Sequence, residues 1–242
     1  MKRYLSVCAA AVLAFAVSAP AAAIDGLTVY TSRDAFLAAI THVATDNFDD
    51  LNTDDAPTEL IRNAGGFSYR AWPAEFDTLY RAGVGGNGAL SDYGNVGDIV
   101  LSDFTGGVSA VGADFFNTDA SGAGLSHVSI AVTAYTLRAN PQPGQSAGET
   151  QTFYLDSDNG AQFLGFTWAN TDGNFPFLTF RDADPNDGET WPTIDNLTLG
   201  WASAAPAPEP ATWAFALVGF GAIGAAMRRR NGATRFLPRV EA

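Results

Sequence analysis

The side chains best equipped for chemistry in this sequence are carboxylates placed on turn-forming stretches. Asp156-Ser157-Asp158-Asn159-Gly160 and Asp182-Ala183-Asp184-Pro185-Asn186-Asp187-Gly188-Glu189 bring several hard oxygen donors together, the donor type that Ca²⁺ takes. Neither is an EF-hand: counting from Asp182, the sixth position, which needs Gly, holds Asp187, and the twelfth holds Thr193 in place of Glu. Asp156, Asp158, Asp182, Asp184 and Asp187 therefore stand either as Ca²⁺ ligands or as the solvated side chains of acidic turns. Paired carboxylates are also the machinery of glycoside hydrolysis, and 26 Asp and Glu residues leave many pairs open. Trp72, Trp168 and Trp191 offer ring faces to sugars, although packing in a core is the commoner role of a strand tryptophan.

Other chemistries lack their residues. His42 and His127 are the only histidines and no HExxH pairs them, so a zinc hydrolase has little to build on. Ser126 and His127 are adjacent, and on a strand they point to opposite faces, which excludes a direct Ser–His pair; no GxSxG elbow is present either. The one lysine, Lys2, lies at the N-terminus, so Schiff-base chemistry and P-loop phosphate binding have no residue in the body of the chain. A formal charge of −13 and a pI near 4.3 have the wrong sign for neutralising phosphates, which excludes nucleic acid as a partner. Lys2, Arg3, Arg228, Arg229, Arg230, Arg235 and Arg239 sit at the ends, and Glu241 is the only acid outside Ile24–Pro210. The middle is thus an acidic surface that attracts cations and repels anionic polymers.

The 242 residues, 47% hydrophobic and 12% aromatic, suffice for one medium domain with a packed core plus targeting segments. Lys2-Arg3, the apolar run Tyr4–Val17 and Ser18-Ala19-Pro20-Ala21-Ala22-Ala23 read as the three regions of a secretory signal peptide, residues 1–23, cleaved after Ala23. The only cysteine, Cys8, lies inside it, so the mature chain is expected to have no disulfide, thiol nucleophile or cysteine metal site. At the other end, residues 201–207 form a small, proline-containing linker. Pro208-Glu209-Pro210 follows, and then the uncharged apolar run Ala211–Met227. As a helix that run rises about 25 Å, the short end of what spans a hydrocarbon core of about 30 Å. Trp213 suits one interface, and Arg228, Arg229 and Arg230 suit the cytoplasmic side. Gly219-Phe220-Gly221-Ala222-Ile223-Gly224 matches GxGxxG, but it lies within the apolar run rather than between a strand and a helix. Close helix approach explains these glycines better than dinucleotide binding.

The pattern Pro208-Glu209-Pro210-Ala211-Thr212-Trp213-Ala214, Leu217-Val218-Gly219-Phe220-Gly221 and Arg228-Arg229-Arg230 resembles the PEP-CTERM sorting signal of Gram-negative surface proteins, here at 208–230, with a membrane helix at 211–227 and a cytoplasmic tail at 231–242. The resemblance implies that Pro208, Glu209 and Pro210 are the recognition element for a membrane-embedded exosortase. It also implies anchoring in the inner membrane with the main domain in the periplasm, then release to the cell surface or beyond, in a cell that makes extracellular polysaccharide. The tail from Asn231 is longer than that family usually carries.

Short strands with regular turns must position whatever the middle does. One short helix is expected from the capping pattern Thr31-Ser32-Arg33-Asp34 through Ile40, with Phe36, Leu37 and Ile40 on its apolar face. Alternation predicts strands near 45–51, 66–72, 98–104, 107–116, 127–137, 150–155, 162–168, 175–180 and 193–199, separated by Gly-, Asn-, Asp- and Pro-rich turns. The expected fold is mainly β, an antiparallel jelly-roll-like sandwich over 24–200. Val111-Gly112-Ala113-Asp114-Phe115-Phe116, Phe163-Leu164-Gly165-Phe166 and Ile194-Asp195-Asn196-Leu197-Thr198-Leu199-Gly200 resemble the β-sandwich ectodomains that precede PEP-CTERM tails, which implies a lectin-like fold without a named activity. The expected function is a non-catalytic surface or matrix protein binding glycan or partner proteins. The alternative is a secreted carbohydrate-active hydrolase using an acidic pair.

Overall fold

The computed structural model describes residues 26–52, 57–74, 78–83, 88–92, 97–126, 128–137, 148–156, 160–169, 175–184 and 190–203. The elements are β1 (Leu27–Tyr30), α1 (Arg33–Ala38), β2 (Ile40–Asp46), β3 (Leu60–Ala64), β4 (Phe67–Pro73), β5 (Leu79–Ala82), β6 (Ala89–Asp92), β7 (Ile99–Thr105), β8 (Ala110–Thr118), β9 (Ser129–Leu137), β10 (Gly148–Asp156), β11 (Gln162–Trp168), β12 (Phe177–Asp182) and β13 (Trp191–Ala202). They form two antiparallel sheets. The first runs β1-β11-β8-β13-β6-β5, with β2 also on β13; the second runs β10-β9-β12-β7-β4-β3. β13 is long enough for β2 to pair with Leu197–Ala202 while β6 pairs with Thr193 and Ile194. Hairpins join β3 to β4, β5 to β6 and β9 to β10; every other link after β2 passes from one sheet to the other.

Alternation explains the core, since every second strand residue faces the same way. Val111, Ala113 and Phe115, Leu164, Phe166 and Trp168, and Ile194, Leu197 and Leu199 line the inner side of the first sheet. Tyr69 and Ala71, Ile130, Val132 and Ala134, and Leu178 and Phe180 face them from the second. The phase slips once within β13, between Ile194 and Leu197, both fully buried. The register with β8 shifts between Asp195 and Thr198, and Asn196 takes φ 51°. That β-bulge absorbs the extra residue and returns Leu197 to the core.

The helix is shorter than expected and differently capped. Ser32, not Thr31, accepts the amide of Ala35 through its hydroxyl, and the helix stops at Ala38 because Ile40 begins β2. Leu37, placed on the apolar face by the sequence, is exposed, while Phe36 is fully buried. The strand expected near 45–51 lies instead at Ile40–Asp46, and β1, β3, β5 and β6 were not expected. β13 continues through Ala202, so Trp201 and Ala202 belong to the last strand rather than to a linker. No helix among the described residues is long and apolar enough to cross a membrane. The expected signal peptide and the segment from 204 onward, with Pro208, Glu209, Pro210, Trp213 and Arg228–Arg230, lie outside the described residues.

Candidate functional site

The outer face of the first sheet is roofed by α1. Gly112 and Gly165 sit opposite each other across β8 and β11, and a methyl group at either would meet the Phe36 ring at 2.9 or 2.7 Å. Two cross-strand glycines thus make the seat into which Phe36 drops, flanked by Phe163 at 5.5 Å and Tyr30 at 5.8 Å between ring centroids. From the first turn of α1, Arg33 reaches over the Phe163 ring and forms an ion pair with Asp114 at 2.7 Å and a hydrogen bond to Thr198 Oγ1 at 3.3 Å.

Beside that ion pair lies a second carboxylate. Asp195 is the register partner of Asp114 across β13 and β8, and cross-strand partners stand only about 5 Å apart at Cβ. The bulge residue Asn196 serves both: its amide donates to Asp195 Oδ1 at 2.6 Å and its side chain to Asp114 Oδ2 at 3.1 Å. Burial pushes the Asp195 carboxyl above the usual carboxylate range, and the charges of Asp114 and Asp49 add to that shift against the Asn196 amide and Arg33. The pair thus sets a carboxylate bound by arginine beside one whose affinity for its proton burial raises, two carboxyls in unequal environments.

The outer face of the second sheet carries no helix, α1 being the only one among the described residues. Thr152, Thr133, Thr179, Val100 and Trp72 are successive register partners across β10, β9, β12, β7 and β4. Four inter-strand steps of about 4.8 Å make this row about 19 Å long. Thr133 and Thr152 share a hydrogen bond at 2.8 Å, and Trp72 Nε1 donates to Ser102 Oγ at 3.2 Å. Next to the row, the Tyr135 and Phe177 rings stack at 3.7 Å, and Tyr154 is 70% exposed. Arg70 lies over the Trp72 ring at 5.2 Å and is ion-paired to Glu59 and Asp103, both at 3.3 Å. Arg181 pairs with Asp98 at 3.7 Å.

A buried polar cluster closes the edge between the sheets. Arg62 on β3 grips Asp46 of β2 with two bonds of 2.6 and 2.9 Å and reaches Asp50 at 2.6 Å, while Tyr69 of β4 donates to Asp46 at 2.7 Å. Burial pushes the Tyr69 hydroxyl far up, with the Asp46 charge adding to it. Burial opposes the Arg62 charge, yet its bonds to Asp46 and Asp50 raise its affinity for the proton overall. The bond from Arg62 holds Asp50 below the usual carboxylate range. The cluster's polar groups are satisfied by one another, and its role is to join β2 to β3 and β4.

The residues singled out by sequence separate clearly. Trp168 and Trp191 are 5% and 8% exposed, and Gly26 lies against the Trp168 ring; indoles so covered present no face on which a sugar could stack. Asp156 and Asp182 pair with Ser129 and Ile130 at the start of β9, one from each side, so the two acidic stretches do emerge together. Asp182 is buried and accepts from Thr190 Oγ1 and from the Asp184 amide. Among the described residues no group of three or more His, Cys, Asp or Glu is placed to hold a metal ion. Asp158, Asp187 and His127 lie outside the described residues. Sequence reasoning missed Tyr135, Tyr154, Phe177 and the Asp114–Asp195 pair. The signal for the first three was present: each is an aromatic residue on the phase of its strand opposite the core.

Comparison with known proteins adds one firm result and three distant likenesses. The PEP-CTERM protein-sorting motif matches residues 206–230. No curated protein matches the chain. Among solved structures, the CBM22-1–GH10 modules of Clostridium thermocellum endo-1,4-β-D-xylanase 10B complexed with xylohexaose align at TM-score 0.37 and 11% identity, covering 68% of this chain and 29% of that one. The CBM22-1 xylan-binding domain from Paenibacillus barcinonensis aligns at 0.34 and 14%, covering 66% and 94%. The enzymatically active domain of tailspike protein 4 of Bacteriophage CBA120 aligns at 0.29 and 9%, covering 56% and 19%. The chain thus spans less than a third of the xylanase and tailspike chains. What is identified is the C-terminal segment: residues 206–230 are a PEP-CTERM sorting motif, which marks the chain as an exported protein that undergoes membrane-anchored sorting.

Proposed function

We propose that this is a non-catalytic cell-surface or matrix protein whose jelly-roll-like ectodomain binds extended polysaccharide on the outer face of its second sheet. The observation that carries the proposal is that outer face, where Trp72, the Tyr135–Phe177 stack and exposed Tyr154 surround the accessible hydroxyls of Thr133 and Thr152. Aromatic faces pack against the apolar faces of sugar rings, and hydroxyls exchange hydrogen bonds with them. Arg70 and Arg181 on this face are both matched by carboxylates, so the face suits a neutral glycan better than an acidic one. In this reading a signal peptide at 1–23 exports the chain, the helix 211–227 anchors it in the inner membrane, and exosortase acts at Pro208-Glu209-Pro210 before the ectodomain reaches the surface.

Affinity electrophoresis in gels containing neutral or acidic polysaccharides tests the ectodomain reading. Retardation by a neutral polymer is expected, with at least a tenfold loss of affinity for Trp72→Ala; retardation unchanged in that variant would remove the face from the binding role. The sorting half has its own check, because Glu209→Ala should leave an unprocessed, membrane-associated precursor with a folded ectodomain. A second reading, a hydrolase, draws support from the Asp114–Asp195 pair. It requires release of reducing ends from a polysaccharide and loss of that release in Asp195→Asn.

A further inference from the structure

The point where the sorting segment leaves the domain is pinned. Ser203 N donates to Ala39 O at 2.9 Å and Ala202 N to Ser109 Oγ at 2.8 Å. Trp201 Nε1 donates to Gly106 O at 2.9 Å, and its ring lies over His42 at 3.7 Å. From Ser203 to Pro208 is five residues, at most about 18 Å of fully extended chain, and to Ala211 at most about 29 Å. A domain of this size is about 40 Å across, so an anchored precursor cannot roll over to present its far end to the bilayer.

The surface immediately around the exit is uncharged. Residues 37–45, 63–68, 104–110 and 199–203, which surround the exit, contain no Asp, Glu, Lys or Arg. Three of the most exposed large apolar side chains among the described residues lie there: Val43, Trp201 and Leu37, at 48%, 39% and 38%. At the opposite end, β6 ends at Asp92, β7 follows Asp98, β8 precedes Asp119, β10 ends at Asp156 and β12 ends at Asp182, with Asp184 just beyond.

Resting on the membrane-anchored sorting that the C-terminal motif indicates, we infer that the uncharged patch around Trp201 is a docking surface for the lipid bilayer, on which the ectodomain sits until it is released. Trp201, Val43 and Leu37 enter the headgroup region, where indoles are at home, and the acidic end points away from an anionic surface that repels it. The short tether supplies the high local concentration that so small a patch needs.

The full chain, with Cys8→Ser to remove its only cysteine, allows single labels to be placed. Reconstituted in phosphatidylethanolamine–phosphatidylglycerol vesicles, a fluorophore at Val43→Cys is expected to be quenched by headgroup-spin-labelled lipid at least threefold more than one at Ser126→Cys, in the far link between β8 and β9. Leu37→Cys repeats the near-end measurement should the Val43 variant fold poorly. Equal quenching at the two ends overturns the docking, as does near-end quenching that appears only when exosortase is present, which would make the surface a protein contact. A chain that fails to float with the vesicles removes the anchoring and the inference together, whereas a floating chain with equal quenching removes the inference alone.

Discussion

On the first sheet, α1 seats Phe36 on paired glycines and Arg33 crosses to Asp114, so the outer face is used for holding the fold together. On the second sheet the outer face keeps Tyr154 and Ile61 at 70% and 73% exposure and Thr152 exposed, with Thr133, Tyr135, Phe177 and Trp72 half-buried, Thr179 buried, and no helix over it among the described residues. The sheets share one core, yet residues of similar type do different work on their outer sides. The difference is set by local sequence: glycines at 112 and 165 admit a helix, whereas Thr133 and Thr179, flanked by Tyr135 and Phe177, leave no such seat.

The largest effect is expected at the edge where the two sheets are tied. Arg62→Met leaves Asp46 buried without its cation and should destabilise the domain by about 4 kcal/mol; chemical denaturation against the parent measures it, and a loss under 1 kcal/mol would make the cluster ornamental. Phe36→Ala empties the glycine seat and should cost about 3 kcal/mol, while Tyr154→Ala on the open face should change stability by less than about 0.5 kcal/mol. Similar losses in these two variants would erase the distinction between the faces.

Smaller and opposite in sign is Asp195→Asn. Because the folded state raises the Asp195 pKa, the folded protein binds that proton more tightly than the unfolded chain does. Its stability contribution is therefore complete below the unfolded value and declines as pH rises through the folded one. Near neutral pH the substitution should stabilise the domain by about 0.5 kcal/mol, with the gain vanishing below about pH 3.8, the ordinary value. A loss of stability at pH 7 would contradict this. The smallest effect concerns calcium. With Asp182 already engaged by Thr190 and the Asp184 amide, millimolar Ca²⁺ is expected to leave the melting temperature unchanged. A rise reversed by chelator and absent in Asp156→Asn would reinstate an ion site on the loops flanking β9.

The sequence made β9 legible because apolar Val128, Ile130, Val132 and Ala134 alternate along it, and 127–137 closely brackets that strand; residues 162–168 were also expected as a strand and are β11, although five of its residues are buried in a row. The four-residue strands β1, β5 and β6 are too short to show a period, and β6 is buried on both sides, which erases alternation altogether. Ile40 was read as the end of a helix because its spacing from Phe36 is helical; tertiary pairing with Ala202 makes it the start of β2 instead. Asp114 and Asp195 could be read as strand carboxylates, but their juxtaposition depends on a register between segments some 80 residues apart, which local pattern does not encode. Trp168 and Trp191 were the tryptophans favoured as ligand contacts from sequence, and it is the outward phase of β4 that sets Trp72 apart from these two buried rings.

The central claim is that the open second face, and not the roofed first one, meets the glycan. Isothermal titration of a neutral polysaccharide that retards the parent, carried out in parallel on Trp72→Ala and Asp195→Asn, tests it most directly. At least a tenfold loss of affinity in Trp72→Ala with affinity retained in Asp195→Asn is the predicted result. Loss in Asp195→Asn with full binding by Trp72→Ala would place the glycan on the first face and contradict the account.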